Sequence, residues 1–401
     1  MVFRKESAMH NFTYFTPTKV VFGKKTEAEV GKLVREYNGH KVLLHYGGSS
    51  AKKTGLLDKV KKSLADSGLA CVELGGVVPN PHLSLVYEGI ELCQQEEVDF
   101  ILAVGGGSVI DSAKAIGYGV ANDGDVWDFY DFKRTPEDCL PIGVVLTLAA
   151  SGSEMSNSSV ITREEDQCKR GCNSDLCRPA FAIMNPELTT TLPAYQTACG
   201  CTDIIMHTME RYFTQGEHSE LTDGMAEHLM RTVMANALIL KKDPKNYNAR
   251  AEVMWAGSLS HNGLTGCGNK ENDFASHRLE HEIGGVYDVA HGAGLAAIWG
   301  SWARYVCTSC LPRFKQFALR VMQCKNTGSD EDIALAGIKA MEKFFQAIDM
   351  PTSLPELGLN LTDKELKVLS KKCSITTHNK LGSAKVLKEK DMLAIYTMAA
   401  K

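Results

Sequence analysis

The chain has 401 residues, of which 44% are apolar and 23% are charged, and its formal net charge is −4. This composition is typical of a globular protein with room for two domains, and the weak negative charge argues against binding to nucleic acid or to an anionic membrane. Because the sequence has no apolar run long enough for a signal peptide or a membrane span, we expect a cytoplasmic protein that acts on a small molecule.

The first half of the chain alternates between short apolar runs typical of strands and amphipathic runs typical of helices. Between residue 18 and about residue 186, the strand-like runs KVVF, KVLLHY, LACVELGGV and VDFILAV alternate with helical runs such as GLLDKVKKSLADSG and LSLVYEGIELCQQEE. This order predicts βαβ units and a mainly parallel sheet. The runs PIGVVLTL, VITR and FAIMNP continue the β-rich part.

After residue 188 the patterns become helical. The runs MAEHLMRTVMANALIL and ALAGIKAMEKFFQAI repeat apolar residues at steps of three and four, and no further strand is predicted. The sequence therefore predicts an α/β domain at residues 1–187 and an all-helical domain at residues 188–401, with the boundary near the Pro-containing segment 185–193. Ligands favour domain junctions and the carboxyl ends of parallel strands, which is where functional residues are expected.

A glycine-rich turn follows the strand-like run VDFILAV. It consists of Gly105, Gly106, Gly107 and Ser108 and leads into a helical pattern. Glycines allow a ligand to approach the backbone, and the N–H groups at a helix start attract phosphate. The turn departs from the usual dinucleotide pattern because Ile110 stands where a third spaced glycine is expected. Phosphate binding and a purely structural turn both remain open on this evidence.

A second glycine-rich loop follows KVLLHY and contains Gly47, Gly48, Ser49 and Ser50. In dinucleotide-binding folds the loop after such a strand often contacts the adenosine ribose, where an acidic residue would bind the 2′-hydroxyl and repel a 2′-phosphate. No acidic residue is present here. The loop therefore predicts a preference for NADP(H) over NAD(H), with an ordinary solvated loop as the alternative.

The helical run CTDIIMHTMERY places Asp203 and His207 four residues apart. Residues at this spacing lie on the same helix face and can reach one point. A carboxylate and an imidazole are both common ligands of divalent metal ions. The alternative is a local pair of buried residues without a metal.

Three more histidines occur in SHRLEHEIGGVYDVAHG, at His277, His281 and His291. His277 and His281 could chelate together, since they are also four residues apart. His291 is too far along a straight helix, but Gly284 and Gly285 are predicted to break the helix and allow His291 to return. Spacing alone leaves both pairs open, and a phosphohydrolase could carry a similar site.

Taken together, these motifs resemble the iron-dependent alcohol dehydrogenases, and within them the branch of butanol dehydrogenases and NADPH-dependent aldehyde reductases. The resemblance covers nearly the whole chain, through NFTYFTPTKVVFG, VVPNPHLSLV, AVGGGSVIDSAK, VLTLAASGSEMS, DIIMHTMERY and SHRLEHEIGGVYDVAHG. It implies a Rossmann-like parallel-sheet domain followed by a helical metal-binding domain, as in dehydroquinate synthase. This agrees with the fold class predicted above, α/β plus all-α.

The resemblance also implies the roles of individual residues. The metal ligands it implies are Asp203, His207, His277 and His291, and His281 becomes a catalytic residue outside the ligand set. The cofactor site it implies contains Gly105, Gly106, Gly107, Ser108 and Asp111, lined by Asn80, Thr147, Leu148, Ser151 and Lys169. There are two departures from the family pattern: Ser151 stands where threonine is frequent, and Asn185 stands where aspartate is usual.

The function implied is reversible hydride transfer between NADP(H) and a primary alcohol or aldehyde, such as butanol or butyraldehyde. Fe²⁺ and Zn²⁺ both suit the ligands, NAD(H) is the alternative cofactor, and a homodimer or larger assembly is expected. The rival interpretations are a polyol dehydrogenase or dehydroquinate-synthase-like enzyme, a metal-dependent phosphohydrolase, and an inert binding module. Oxidation of NADPH in the presence of butyraldehyde would separate a dehydrogenase from the last two.

Overall fold

The computed structural model describes residues 9–48, 50–215 and 219–401. These residues form two compact units. The first contains Thr16–Leu192 and Lys245–Ser258, and the second contains residues 9–15, Pro193–Pro244 and Leu259–Lys401. The domain division predicted from the sequence stays a prediction; its boundary lies in the same Pro-containing segment that separates the main parts of the two units.

The described part of the first unit contains eight strands. They are β1 (Lys19–Phe22), β2 (Lys41–Gly47), β3 (Ala70–Val77), β4 (Phe100–Gly105), β5 (Ile142–Leu146), β6 (Ser158–Arg163), β7 (Cys168–Asn173) and β8 (Phe181–Met184). Six of them form one sheet in the order β1-β8-β5-β4-β2-β3, in which every neighbouring pair is parallel, as predicted. β6 and β7 form a separate antiparallel pair. The sequence analysis missed β7, because its run CKRGCN has no apolar alternation and its partner in pairing is β6 alone.

Six α-helices accompany these strands in the described residues: α1 (Val30–Glu36), α2 (Ser50–Lys53), α3 (Leu56–Asp66), α4 (Leu83–Gln95), α5 (Gly107–Ala121) and α6 (Trp127–Tyr130). Short 3₁₀ turns occur at Thr26–Glu29, Asp175–Cys177 and Pro186–Thr189. Side chains alternate along a strand, so Leu43 and Ile101 pack on the α4 and α5 side, while Val42 and Leu102 pack on the α1 and α3 side. Burial on both faces explains why the strands are nearly continuous apolar runs.

The carboxyl ends of the central strands lie at the same edge of the sheet. Gly47 at the end of β2 pairs with Val77 at the end of β3, and Gly105 at the end of β4 pairs with Leu146 at the end of β5. β2 and β4 are parallel neighbours, so these two pairs share one edge. The loops that follow the four strands therefore leave the sheet together, at the edge where parallel sheets bind ligands.

The rest of the described chain is helical, as predicted. Its helices are α7 (Ala194–Tyr212), α8 (Glu220–Lys242), α9 (Tyr247–His261), α10 (Ala275–Tyr287), α11 (His291–Val306), α12 (Leu311–Arg320), α13 (Asp330–Ala347), α14 (Asp363–Thr376) and α15 (Glu389–Ala399), with 3₁₀ turns at Leu264–Gly266 and Cys307–Cys310. Capping boxes begin α13 at Ser329 and α14 at Thr362, where each side chain accepts a bond from the first turn. None of the described helices has the length and apolar character needed to cross a membrane.

The turn that precedes His291 differs from the prediction. Gly284 and Gly285 lie inside α10 and do not break it. The chain turns instead at Asp288, which follows the helix in the left-handed conformation with φ 50°. A left-handed residue after the last turn ends a helix, and aspartate tolerates this conformation better than most residues. The glycine break was therefore a wrong prediction, although α11 does begin at His291 just beyond the turn.

Two glycines at the start of α11 allow it to lie very close to its neighbours in the second unit. A Cβ atom on Gly292 would lie 2.1 Å from the carbonyl oxygen of Cys199 in α7. A Cβ atom on Gly294 would lie 2.9 Å from Cγ of Glu280 in α10. The beginning of α11 is thus held against both helices that carry the other predicted metal ligands.

Candidate functional site

Asp203 and His207 lie on the same buried face of α7. Both side chains are almost completely buried, and Nδ1 of His207 is 3.1 Å from Oδ1 of Asp203. The same nitrogen is 3.0 Å from the backbone carbonyl oxygen of Asp203. The spacing of four residues therefore brings the two side chains to one point, as the sequence indicates.

His277 and His291 approach the same carboxylate from α10 and α11. Their Nε2 atoms are 3.5 Å and 3.7 Å from Oδ1 of Asp203, respectively. The structure thus brings all four predicted ligands together around one oxygen atom. We refer to Asp203, His207, His277 and His291 as the Asp203 cluster.

The atoms of the Asp203 cluster fit a divalent metal ion. Ligand atoms at about 2.1 Å from a tetrahedral ion lie about 3.4 Å from one another, which is close to the 3.5 Å and 3.7 Å that separate Oδ1 of Asp203 from Nε2 of His277 and of His291. Oδ1 of Asp203 and Nε2 of His277 are buried, and neither has a hydrogen-bond partner among the described residues. A buried polar atom without a partner is costly, and a bound ion would satisfy both of these atoms.

Burial and mutual charge perturb the titration of these groups. Burial raises the pKa of Asp203, but the neighbouring His207 and His291 outweigh it and hold this pKa well below its ordinary value. Burial lowers the pKa of His207 to about 4, although Asp203 opposes the shift. Burial would also lower the pKa of His277, but the charges of Glu210 and Asp203 raise it to about 9. Asp203 is thus held as an anion, which favours a positive charge beside it, and a metal ion would supply that charge.

Two buried glutamates that the sequence analysis missed hold two of the imidazoles. Glu210 accepts hydrogen bonds from Nδ1 of His277 and from the backbone N–H of His277, the latter at 3.0 Å. Glu280 accepts from Nδ1 of His291. Both carboxylates are essentially inaccessible to solvent. Helical spacing could have indicated them, because Glu210 and Glu280 each lie three residues after a predicted ligand and therefore on the same helix face.

His261 at the end of α9 is a second omission. Its ring centroid is 4.0 Å from that of His207, and the two rings meet edge to face. Nδ1 of His261 is buried and has no hydrogen-bond partner among the described residues. Burial, together with the neighbouring His207 and Arg211, holds the pKa of His261 well below its ordinary value. A neutral imidazole therefore borders the Asp203 cluster. His261 lies outside the sequence motifs that contain the predicted ligands, so the sequence did not indicate this proximity.

His281 lies beside the cluster rather than at its centre. It is buried on α10, with its ring centroid 6.5 Å from that of His277 and 5.9 Å from that of His291. A ring nitrogen of His281 lies within 4.8 Å of a carboxylate oxygen of Glu280 and a ring nitrogen of His291. His281 therefore lies next to His291, whereas the histidines that approach Asp203 are His207, His277 and His291.

The predicted cofactor residues of the glycine turn lie together at the carboxyl edge of the sheet. Gly105 ends β4, Gly106 precedes α5 in an extended conformation, and Gly107 and Ser108 form its first turn. A Cβ atom on Gly107 would lie 2.3 Å from Oγ of Ser151, and one on Gly106 would lie 3.0 Å from Cβ of Leu148. A side chain at either position would therefore require the adjacent loop or its side chains to shift.

The remaining predicted cofactor residues are spread over other loops, strands and helix starts of the first unit. Thr147 donates its backbone N–H to the carbonyl oxygen of Gly105 at 3.0 Å. Asn80, in the loop after β3, is buried with a left-handed φ of 54°. Lys169 is a buried residue of β7. Gly47 ends β2, Gly48 follows it and Ser50 begins α2, while Ser49 falls outside the described residues.

The carboxylate of Asp111 is engaged with the protein. Its Oδ1 accepts from Oγ of Ser153 at 2.5 Å, and its Oδ2 accepts from the backbone N–H of Val160 at 3.0 Å. Lys114, one turn later on α5, is fully buried and donates to the carbonyl oxygens of Ser153, Ser156 and Ser158. The helix after the glycine turn thus fixes the segment that follows β5.

Comparison with known proteins places this arrangement in a family. The family described as iron-containing alcohol dehydrogenase matches residues 17–186, and the C-terminal domain of the Fe-containing alcohol dehydrogenase family matches residues 197–400. The chain is 40% identical to the probable NADH-dependent butanol dehydrogenase 1 of Bacillus subtilis, over 96% of this chain and 99% of that protein. It is 36% identical to the NADPH-dependent aldehyde reductase YqhD of Escherichia coli, over 88% of this chain and 90% of that protein.

A solved structure shows the same similarity. The crystal structure of NADH-dependent butanol dehydrogenase A from Thermotoga maritima superposes with a TM-score of 0.95 at 36% identity, covering 98% of this chain and 99% of that one. The fold and the site thus define a metal-dependent dehydrogenase. The chain belongs to the iron-containing alcohol dehydrogenase family, and it is an NAD(P)-dependent oxidoreductase that acts on alcohols.

Proposed function

We propose that the chain transfers hydride reversibly between NADP(H) and a primary alcohol or aldehyde, such as butanol or butyraldehyde. The observation that carries the proposal is the convergence of three imidazole nitrogens on Oδ1 of Asp203, at 3.1, 3.5 and 3.7 Å. Relatives whose names specify butanol dehydrogenase or aldehyde reductase support this substrate class.

The Asp203 cluster is the proposed metal site, for Fe²⁺ or Zn²⁺. A divalent ion bound there supplies a Lewis acid that polarises the substrate oxygen. The residues of the chain supply the fixed geometry: α7 presents Asp203 and His207 as a pair, and the close approach of α11 at Gly292 delivers His291. The burial of Asp203, His207 and His277 keeps competing water away from their ligand atoms.

Replacement of His291 with Ala tests the ligand set, with His281→Ala as the matched control on the neighbouring helix. We expect His291→Ala to lose its metal and its activity, and His281→Ala to keep its metal. Elemental analysis of both purified proteins gives the result. Full occupancy in His291→Ala, with loss confined to His281→Ala, would assign the site to the chelating pair His277 and His281 instead.

His281 is the proposed catalytic residue outside the ligand set. His281 is buried and its ring lies next to that of His291, which suits a group that relays a proton near the reacting oxygen. We expect His281→Ala to retain the metal and to lose turnover by about a hundredfold, the usual contribution of a positioned proton-transfer group. Unchanged turnover would make His281 a packing residue.

The loops at the carboxyl edge of the sheet are the proposed dinucleotide site, and the loop after β2 is proposed to favour NADP(H). No acidic side chain is present at residues 47–50, so nothing in that loop repels a 2′-phosphate. The relatives include both NADH-dependent and NADPH-dependent enzymes. The proposed preference for NADP(H) therefore rests on the sequence of the loop at residues 47–50.

Gly48→Asp tests the preference without a steric complication, because no described atom lies within 4 Å of the Cβ position at residue 48. Gly48→Asn is the matched control, with the same shape and no charge. We expect the wild type and Gly48→Asn to favour NADPH by about tenfold or more in kcat/KM, and Gly48→Asp to favour NADH. Equal kcat/KM values for the two cofactors, unaltered by Gly48→Asp, would contradict the assignment.

The whole proposal is tested by incubating the metal-loaded protein with butyraldehyde and NADPH and following the absorbance of NADPH. A phosphohydrolase would instead release phosphate from p-nitrophenyl phosphate and leave NADPH unchanged.

We also propose a homodimer, since β1 is an edge strand of the sheet that a second copy could extend. Light scattering that gives the mass of one chain would contradict the dimer.

A further inference from the structure

Two of the three imidazoles in the Asp203 cluster are held by buried carboxylates, while the third is not. Nδ1 of His277 donates to Glu210, and Nδ1 of His291 donates to Glu280. His207 instead has the neutral backbone carbonyl of Asp203 at 3.0 Å from its Nδ1. We infer that Glu280 is a positioning residue that fixes the ring of His291 for metal binding, and that Glu210 does the same for His277.

The geometry explains why the carboxylate determines which nitrogen faces the site. A neutral imidazole carries one N–H and one lone pair. When Nδ1 of His291 donates its hydrogen to Glu280, the lone pair lies on Nε2, which is 3.7 Å from Oδ1 of Asp203. The same reasoning gives His277 a lone pair on Nε2, at 3.5 Å from Asp203. Both lone pairs therefore face the space beside Asp203.

His291 needs this support more than His277 does. It is the first residue of α11, and about a quarter of its side chain is exposed. Glu280 is fully buried. A Cβ atom on residue 294 would lie only 2.9 Å from Cγ of Glu280, so glycine at position 294 leaves room for the side chain of Glu280. The packing of α10 on α11 is thus arranged around this carboxylate.

Glu280, His281 and His291 could alternatively hold a second ion, because one ligand atom from each lies within 4.8 Å of the others. The hydrogen bond argues against this arrangement. A nitrogen that donates a hydrogen cannot also bind a metal, and Nδ1 of His291 donates to Glu280. A second ion would have to break that bond while Nε2 of His291 remained with Asp203. The carboxylate therefore supports a ligand and does not itself bind a metal.

The inference rests on the proposed ligand set and predicts a measurable loss of metal affinity. A carboxylate behind a histidine orients the ring and makes it a stronger donor, and its removal usually costs about 10–100-fold in metal affinity. Glu280→Gln preserves shape and can still accept a hydrogen bond, so it removes mainly the charge. Glu282→Gln is the matched control, since Glu282 is buried on the same helix and accepts from Oγ1 of Thr376 at 3.1 Å.

The experiment compares wild type, Glu280→Gln, Glu282→Gln and His291→Ala, loaded with Co²⁺ or Zn²⁺. Affinity is measured by competition with a chelator, stoichiometry by elemental analysis, and ligand geometry by the visible absorption of Co²⁺. We expect one ion per wild-type chain, a 10–100-fold weaker affinity with a changed Co²⁺ spectrum in Glu280→Gln, and wild-type behaviour in Glu282→Gln. Glu210→Gln should behave like Glu280→Gln, which provides a second variant if either folds poorly.

The outcomes separate this inference from the proposed function. Wild-type affinity and spectrum in both Glu280→Gln and Glu210→Gln, with loss of metal in His291→Ala, would overturn the inference and leave the ligand set intact. Two ions in the wild type and one in Glu280→Gln would make Glu280 a ligand of a second ion. Full occupancy in His291→Ala would overturn the ligand set and, with it, this inference.

Discussion

Replacement of Asn185 with Asp is expected to destabilise the first unit in a pH-dependent way. Asn185 is buried, and its Nδ2 donates to Oε2 of Glu27 at 2.9 Å, while its Oδ1 accepts from the backbone N–H of Glu187 at 3.0 Å. Aspartate would keep the second bond but place a carboxylate oxygen against that of Glu27. Glu27 would thus lose the donor that the amide of Asn185 supplies.

The size of the effect follows from two competing costs. Two full charges about 2.9 Å apart repel by about 6 kcal/mol at an effective dielectric constant of about 20. The cost is lower if the two carboxylates share one proton. To keep a carboxyl group with an ordinary pKa near 4 protonated at pH 7 costs about 4 kcal/mol, at about 1.4 kcal/mol per pH unit. Lys59, 3.6 Å from the other oxygen of Glu27, is largely exposed and offsets little of this cost.

The variant should therefore take up a proton on folding. Above about pH 4 the folded variant binds one proton more than its unfolded chain, so its stability falls as the pH rises. We expect Asn185→Asp to lower the free energy of unfolding by about 4 kcal/mol at pH 7 and by about 1 kcal/mol at pH 5.

The assay is denaturant unfolding of the wild type, Asn185→Asp and the double variant Glu27→Gln/Asn185→Asp at several pH values. The double variant restores an amide opposite a carboxylate with the roles exchanged, and it should recover most of the stability. A loss in Asn185→Asp that is the same at pH 5 and pH 7, or that the double variant does not relieve, would refute the reasoning.

Three further predictions concern other buried groups. Lys114→Met removes an ammonium group that donates to three backbone carbonyls and should cost at least about 1–3 kcal/mol in denaturant unfolding, whereas an unchanged midpoint would contradict it. Burial lowers the pKa of His45 to about 4, so acidification from about pH 6.5 to about pH 4 should destabilise the wild type by about 3 kcal/mol through this group. His45→Gln should lose that part of the pH dependence, and equal slopes in the two proteins would contradict it. Gly292→Ala should separate α11 from α7 and reduce the metal content found by elemental analysis, while Gly224→Ala, which meets no described atom within 4 Å, should keep it.

Much of the fold follows from the sequence because it depends on local periodicity. The apolar runs buried on both faces of the sheet and the repeats at three and four residues identify the order of strands and helices. The pair Asp203 and His207 was also predictable, since a spacing of four on a helix fixes their proximity. The family could be recognised because its motifs run through nearly the whole chain.

The tertiary structure decided which distant groups meet. Spacing left open whether His281 or His291 approaches Asp203, and the answer depends on the left-handed turn at Asp288 and the close packing of α11 on α7. The hydrogen bonds from His277 to Glu210 and from His291 to Glu280 were decided in the same way, because spacing indicates the helix face on which a glutamate lies and not the imidazole that it meets. Local pattern fixes the face of an element on which a side chain lies, but only the packing of elements fixes which other side chain it meets.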